Sequence, residues 1–257
     1  MIELIEKLDV FSNVKFFDDT HEYFIDGKKV SKSATKLISN IKIPFDSKKW
    51  SAKKAKERGI SVEEILAEWA YTAKVSTEKG TVFHSYAENY LANKVFPYPE
   101  SRILSVPEFK GIDPVKAKYA KLTAMFRKFH SDIQGKMISV KSEYVVGDAE
   151  LDIAGMVDQI FYNKKSGKLE IWDWKTNKEI SSSNRFQKYL APMSHLDECE
   201  MNGYSLQLNI YKYLITKHTG LEFGDCFLCW FNENNDTYKV IRCHDFWNEA
   251  KLLLKAA

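Results

Sequence analysis

Asp173 and Lys175 stand in the stretch IWDWKT, between two tryptophans and an isoleucine. On a strand, alternate side chains face opposite ways, so the carboxylate and the ammonium share one face while Trp172 and Trp174 pack the other. Charge placed in so apolar a strand needs partners. A second carboxylate, Asp158, ends the run AGMVD on the preceding predicted strand, and the short hairpin between the two strands lets Asp158 and Asp173 lie side by side. Two carboxylates about 4 Å apart repel by roughly 4 kcal/mol at an effective dielectric of 20, so they require a shared proton, a cation or separation. Lys175 offsets one charge, and a divalent metal would offset the rest.

Two further groups carry chemistry. In GTVFHSYAE, His84 and Glu88 lie four apart on a predicted helix and therefore on one face, with Gly80 at its start allowing close backbone approach. An imidazole with several carboxylate oxygens suits Mg²⁺ or Mn²⁺ better than structural Zn²⁺. In YSLQLNIY, Gln207 and Tyr211 share a helix face, and Tyr204 lies one turn before Gln207. An amide and a phenol at that spacing hold a phosphate or a nucleobase without adding charge.

The elements that must position these groups follow from periodicity and punctuation. The first thirty residues read as a β-hairpin, VKFFDD and EYFIDGKKV, with Asp26-Gly27 as the turn. Helices are predicted over 33–41, over PFDSKKWSAKKAKERG, and over VEEILAEWAYTAKV, where Ser61 and Glu64 form a capping box. A separate helix is expected over 78–92. A long helix after Asp113-Pro114 repeats Val115, Tyr119, Leu122, Phe126, Phe129 and Ile133 at threes and fours. Three strands then form an antiparallel meander, KMISVKSEYVV, ELDIAGMVDQIFY and LEIWDWKT. A helix, a strand pair and a closing helix from about residue 245 follow. The order implies an α/β sandwich around a mixed sheet, with residues 1–77 a β-hairpin and helical region and residues 78–257 the core. Trp69, Trp230 and Trp247 are expected in the interior.

Composition limits the function classes. The 257 residues include 44% hydrophobic and 14% aromatic residues, enough for a real core. No apolar run approaches the roughly 20 residues a membrane span needs, so a soluble, cytoplasmic protein is expected. A net charge of +3, from 38 basic and 35 acidic residues, neither demands nor excludes a nucleic-acid partner.

Taken together, G-x-x-x-H at Gly80 to His84, G-x-x-D at Gly155 to Asp158, D-x-K at Asp173 to Lys175 and Q-x-x-x-Y at Gln207 to Tyr211 resemble the motifs of the PD-(D/E)XK nuclease superfamily. The match looks closest to the RecB-like branch, which includes viral exonucleases and the mitochondrial genome maintenance exonuclease, and it covers about residues 78–245. The resemblance implies a restriction-endonuclease-like core. It also implies that Asp158, Asp173 and His84 ligate Mg²⁺ or Mn²⁺ with help from the Trp174 carbonyl. Lys175 would orient or deprotonate the attacking water, and Gln207 and Tyr211 would position the DNA. Glu88 and Glu143 are carried over as groups behind the ligands. The implied reaction is phosphodiester hydrolysis, by an exonuclease of phage or bacterial recombination, repair or replication working on DNA with a free end or a single strand. A recombination or replication protein would be its partner. Structure-specific endonucleases share the motifs, and a catalytically idle DNA-binding module of the same fold is the rival from another class. The presence of every proposed ligand and of Lys175 counts against the module.

For grip on DNA, Lys49, Trp50, Lys53 and Lys54 lie on one basic helix, Arg185 and Lys188 lie just past the active strand, and Tyr204 adds an aromatic. Some RecB-like relatives carry an iron–sulfur cluster on one cysteine before the core and three after it. Here no cysteine precedes Cys199, and Cys226 and Cys229 differ by three on a predicted strand, facing opposite sides, so no cluster is expected.

Overall fold

The computed structural model describes residues 2–256. Helix α1 (Ile2–Leu8), which sequence periodicity does not indicate, leads into a small antiparallel sheet of β1 (Val14–Phe17), β2 (Glu22–Ile25) and β3 (Lys28–Lys29). Asp26 and Gly27 both have positive φ, 50° and 76°, as the tight turn requires. That turn joins β2 to β3, so the expected hairpin is three strands, with β1 and β2 joined through residues 18–21.

After β4 (Lys32–Ser33), helix α2 (Ala34–Asn40) opens on Ser33, whose hydroxyl accepts the Lys36 N–H at 3.2 Å. Helix α3 (Ser47–Arg58) opens on Asp46, which accepts the Lys49 N–H at 2.9 Å, and closes on left-handed Gly59. The Ser61–Glu64 capping box starts α4 (Val62–Leu91) as expected. This helix does not stop where the sequence suggests. It runs unbroken for 30 residues, so Gly80 lies inside it rather than at a helix start, and position 77/78 is mid-helix. A mid-helix glycine costs about 1 kcal/mol relative to alanine; burial of Val75, Val82, Phe83 and Ala87 on either side outweighs it.

A short helix α5 (Glu100–Leu104) precedes α6 (Lys116–Ile133), which buries Leu122, Phe126 and Phe129 on the predicted stripe. Strands β5 (Met137–Asp148), β6 (Ile153–Asn163) and β7 (Lys168–Lys175) form the expected antiparallel meander. Helix α7 (Glu200–Thr219) then carries the chain to β8 (Phe223–Trp230), parallel to β7, and β9 (Lys239–Arg242) pairs back antiparallel before α8 (Trp247–Ala256). The resulting mixed sheet runs β4-β6-β7-β8-β9, with β5 also on β6.

Helices cover both faces, as the α/β reading requires. On one face, α1, α2, α7 and α8 enclose a core that includes Leu8, Leu37, Ile171, Leu206 and Leu253. On the other, α4 and α6 close over Phe83, Phe126, Phe129, Trp172, Trp174 and Phe231. Trp69, Trp230 and Trp247 are half-buried rather than interior, each indole lying at the edge of a layer. Among the described residues, no helix is long and apolar enough to cross a membrane.

Candidate active site

The site forms where the sheet forks. The β6–β7 ladder runs from Asn163–Lys168 to Gln159–Trp172 and ends there. Beyond it, β7 continues beside β8, while the start of β6 pairs with β4 at Ile153 and Ala154. The backbone edge of Trp174 is thereby freed from a strand partner, and buried N–H and C=O groups must be satisfied in some other way. Asp158 Oδ2 accepts the Trp174 N–H at 2.7 Å, and the His84 Nε2–H, reaching from α4, donates to the Trp174 carbonyl at 3.0 Å. The predicted motifs therefore meet on one residue's main chain. The Trp174 carbonyl faces the site, covered by His84.

The other ring nitrogen, His84 Nδ1, lies 3.5 Å from Asp158 Oδ2 and 3.9 Å from Glu143 Oε1. Glu143 falls opposite Asp158, between the register pairs Ser142–Gln159 and Tyr144–Val157, and its φ is 44°, left-handed within a strand. Such a conformation is uncommon for a residue with a Cβ and costs energy that the surroundings must supply. Burial first, then the charges of Asp158 and Glu88, push the Glu143 carboxyl up to about 9.

On the other side of the fork, Asp173 is 3% exposed and its Oδ2 lies 2.5 Å from Lys175 Nζ. That ammonium is the polar contact of an oxygen with no other hydrogen-bond donor on it. Burial above all, with Asp158 adding, raises the Asp173 carboxyl to about 6 against the opposing pull of Lys175. Burial disfavours the Lys175 ammonium, but the charges of Asp173 and Asp158 outweigh it and hold Lys175 above its usual range. At neutral pH the pair is Asp173⁻ and Lys175⁺. The Tyr204 ring lies 4.3 Å from Lys175 Nζ, and the Asn177 amide donates to the Tyr204 hydroxyl at 2.8 Å.

Gln207 and Tyr211 play unequal parts. Gln207 Nε2 donates to the Tyr211 hydroxyl at 3.1 Å, and Tyr211 is 3% exposed. Its ring lies on Gly155, where a Cβ would come within 2.4 Å of a ring carbon. Gly155 therefore admits Tyr211, Tyr211 locks α7 against β6 and orients Gln207, and only Gln207 reaches the open side. By contrast, a Cβ at Gly80 would meet only Thr176 Oγ1, at an ordinary 3.7 Å.

A cavity of about 440 Å³ opens beside His84 and is lined by Phe16, Asp18, Glu88, Glu143 and Met156, among others. Phe16 and Asp18 come from the N-terminal sheet. Tyr23 from the same sheet is pushed up to about 12 by burial and by the charges of Glu143 and Asp158. Sequence reasoning misses all three, because their strands lie far from every motif; the crowding of aromatic and acidic residues in KFFDD is the available signal. Glu88 is exposed on the cavity wall.

Of the residues read as DNA-gripping, Lys49 and Lys53 sit over the Trp50 ring with Nζ 5.7 and 5.2 Å from its centroid, and Lys53 and Lys54 pair with Glu57 at 3.9 and 3.0 Å. Lys188 pairs with Asp197 at 3.6 Å, whereas Arg185 is exposed. Cys226 and Cys229 point into different cores, on opposite sides of β8.

The donor set fits a divalent cation. His84, Asp158 and Glu143 offer one ligand atom each within 4.8 Å of one another, and the Asp173 carboxylate is buried nearby. Hard oxygen donors with one imidazole suit Mg²⁺ or Mn²⁺.

The model of the PD-(D/E)XK nuclease superfamily matches residues 56–241. The chain belongs to that superfamily. PD-(D/E)XK nucleases use divalent metals, in keeping with the His84, Glu143 and Asp158 cluster. Among solved structures, this nuclease is similar to a protein of Eubacterium rectale described as a candidate exonuclease, with 12% identity over 71% of this chain and 64% of that one and a TM-score of 0.44. The chain thus spans less than two thirds of that protein's length. It is also similar to a protein designated SSO0001, with 15% identity over 69% of this chain and 83% of that one and a TM-score of 0.28. No curated protein sequence matches it.

Proposed function

We propose that this nuclease is a metal-dependent deoxyribonuclease, and that it acts as an exonuclease in phage or bacterial DNA recombination, repair or replication. One observation carries the metal-dependent reading: at the fork in the sheet, His84 Nδ1 and the carboxylates of Asp158 and Glu143 converge with no cationic side chain of Lys or Arg among them, beside the buried Asp173–Lys175 pair. The exonuclease role follows from the resemblance of the four motifs to the RecB-like branch. A DNA strand with a free end or without a complement is the substrate that suits it.

In this reading His84, Asp158, Glu143 and Asp173 hold Mg²⁺ or Mn²⁺, which when bound supplies Lewis acidity and a more acidic water. The chain's own residues do the rest. Asp158 and His84 fix the Trp174 backbone edge, and with it the relative position of β6, β7 and α4. Lys175, kept charged by Asp173, stabilises negative charge gathering on the phosphate and orients the water; an ammonium held above its usual range is poorly suited to take a proton from it. Gln207, aimed by Tyr211, contacts the strand with its remaining amide oxygen and hydrogen. Tyr204 keeps the Lys175 ammonium on the phosphate side. The N-terminal sheet, through Phe16 and Asp18, closes the far wall and limits how much nucleic acid enters.

The test is digestion of end-labelled linear DNA and covalently closed circular DNA with Mg²⁺ or Mn²⁺, comparing the wild type with Asp173→Ala and Lys175→Ala. Loss of linear DNA alone, abolished in both variants, is the expected result. Cutting of circles would replace the exonuclease with an endonuclease. Binding without metal-dependent cleavage in the wild type would overturn the catalytic reading.

A further inference from the structure

The loop after β7 holds a phenylalanine that the site described above does not use. Phe186 is 98% exposed. An aromatic ring left in water forgoes a large burial gain, and a mobile loop would fold it inward. This loop cannot. The Phe186 N–H donates to Asn184 Oδ1 at 3.1 Å, Asn184 Nδ2 donates to the Glu198 carbonyl at 2.8 Å, the Glu198 N–H to the Gln187 carbonyl at 3.0 Å, and Tyr189 N–H to the Leu196 carbonyl at 3.1 Å. The ring is held out by a braced frame.

The charges of the frame are sorted. Asp197 pairs with Lys188 at 3.6 Å, Glu198 accepts from the Gln187 amide at 2.6 Å, and Glu200 takes Ser181. Glu179, at the base of the loop, and Glu200 are exposed acids. Arg185, next to Phe186, is exposed and makes no ion pair among the described residues. The tip therefore offers a bare ring beside a bare guanidinium.

The tip is also tied to the catalytic end of α7. The Met201 N–H donates to the Ser181 carbonyl at 3.0 Å, and the Leu190 N–H donates to the Ile41 carbonyl at 2.7 Å, joining the loop to the end of α2. Between α2 and α7 a cavity of about 200 Å³ is lined by Ser39, Lys42, Tyr204 and Gln207, among others. This cavity lies beside Tyr204 and Gln207, with Lys42 and Glu200 both on its wall, and the loop is tied to each of the two helices that form it. A protein-binding patch would need apolar neighbours around Phe186. Instead the ring is flanked in the chain by a cation and an amide, Arg185 and Gln187, which suits a base with its phosphate.

We infer that Phe186 is a base-stacking finger and Arg185 its phosphate anchor, together taking an unpaired nucleotide of the strand several positions from the scissile bond. This rests on the nuclease reading proposed above. Stacking on every base face, the finger would read strand continuity rather than sequence.

The test is binding of a fluorescein-labelled single-stranded oligonucleotide without metal, so that nothing is cleaved, followed by anisotropy. Phe186→Ala should weaken binding about tenfold and leave the salt slope unchanged, and Phe186→Trp should restore it. Arg185→Ala should flatten the salt dependence by about one counterion. An abasic site moved along the oligonucleotide should weaken wild-type binding at one register and leave Phe186→Ala indifferent. Because the ring packs against nothing, its truncation leaves the fold intact. Wild-type affinity in Phe186→Ala, with or without a change in oligomeric state by light scattering, would overturn the finger while the nuclease reading stands. Absence of any DNA binding by the wild type would overturn both.

Discussion

The two faces of β7 are built on opposite terms. On one, Trp172 and Trp174 sink into a cluster of rings in which Phe126 and Phe129 each lie 5.5 Å from Trp174, edge on. Phe227 stacks on Trp172 at 4.7 Å. Even a polar atom there is satisfied, the Trp172 indole N–H donating to Glu170 at 3.2 Å. On the other face, the Asp173 oxygen has only the Lys175 ammonium against it, and Lys175 has only that carboxylate and the Tyr204 ring. One face is saturated and the other is left unfinished, and the first makes the second tolerable. A strand anchored by two buried indoles can carry a buried carboxylate whose remaining partners must come from outside.

The contrast can be broken from either face. The largest effect is expected from Asp173→Asn, which keeps the shape and removes the charge. Cleavage should fall by about a thousandfold or more, since several kcal/mol of charge stabilisation go with it, while the urea midpoint falls too, because the buried Lys175 ammonium loses its counterion. Phosphodiester turnover and equilibrium unfolding of the same preparation check both halves. On the packed side, Trp174→Ala should cost about 3–5 kcal/mol of stability, and cleavage should disappear only as the protein unfolds; denaturant titration measures it. Gly155→Ala should cost about 1–3 kcal/mol through overpacking against Tyr211. Activity should fall with it through misplacement of Gln207, and a second change, Tyr211→Phe, should not rescue the fold, because the clash is with the ring.

The smallest effect tests the unfinished side. Glu143 is raised to about 9 from an ordinary 4.5, so the folded state keeps a proton that the unfolded chain releases. Stability of the metal-free protein should therefore fall as pH rises from about 4.5 toward 9, and divalent metal should reverse the fall by displacing the proton. Glu143→Gln should remove this slope and raise the metal-free melting temperature at pH 8. Scanning calorimetry at pH 5 and pH 8, with and without Mg²⁺, reads it. A variant that melts lower at pH 8 would mean that Glu143 is already satisfied by donors of the fold.

Much of the contrast is legible in the amino-acid sequence. The alternation in IWDWKT assigns the faces of β7, and helical spacing places Gln207 and Tyr211 together, because both depend on local periodicity alone. The fork does not. Nothing local to AGMVD says that β6 will begin beside β4 and join β7 only from Gln159 on, and without that divergence the backbone of Trp174 would have bonded to a strand rather than to Asp158 and His84. Glu143 reads as a group behind the ligands because KSEYVV has the pattern of a regular strand; its left-handed backbone is a tertiary outcome. The single long α4 reads as two helices because Gly80 and the polar run STEK resemble a break, while the cores that bridge it are assembled from residues far apart in the chain.

That helix has a mechanical meaning. At 1.5 Å per residue, α4 is about 45 Å long, and His84 lies about 33 Å from its first residue. Arg58 at the end of α3 grips Glu68 on its first turns through both guanidinium nitrogens, and Phe45 lies 5.8 Å from Trp69. The basic helix and the imidazole are thus on the two arms of one lever. A tilt of about 2° at the end where α3 would meet a phosphate backbone moves the imidazole by about 1 Å, the difference between an Nδ1 that faces the carboxylates and one that does not.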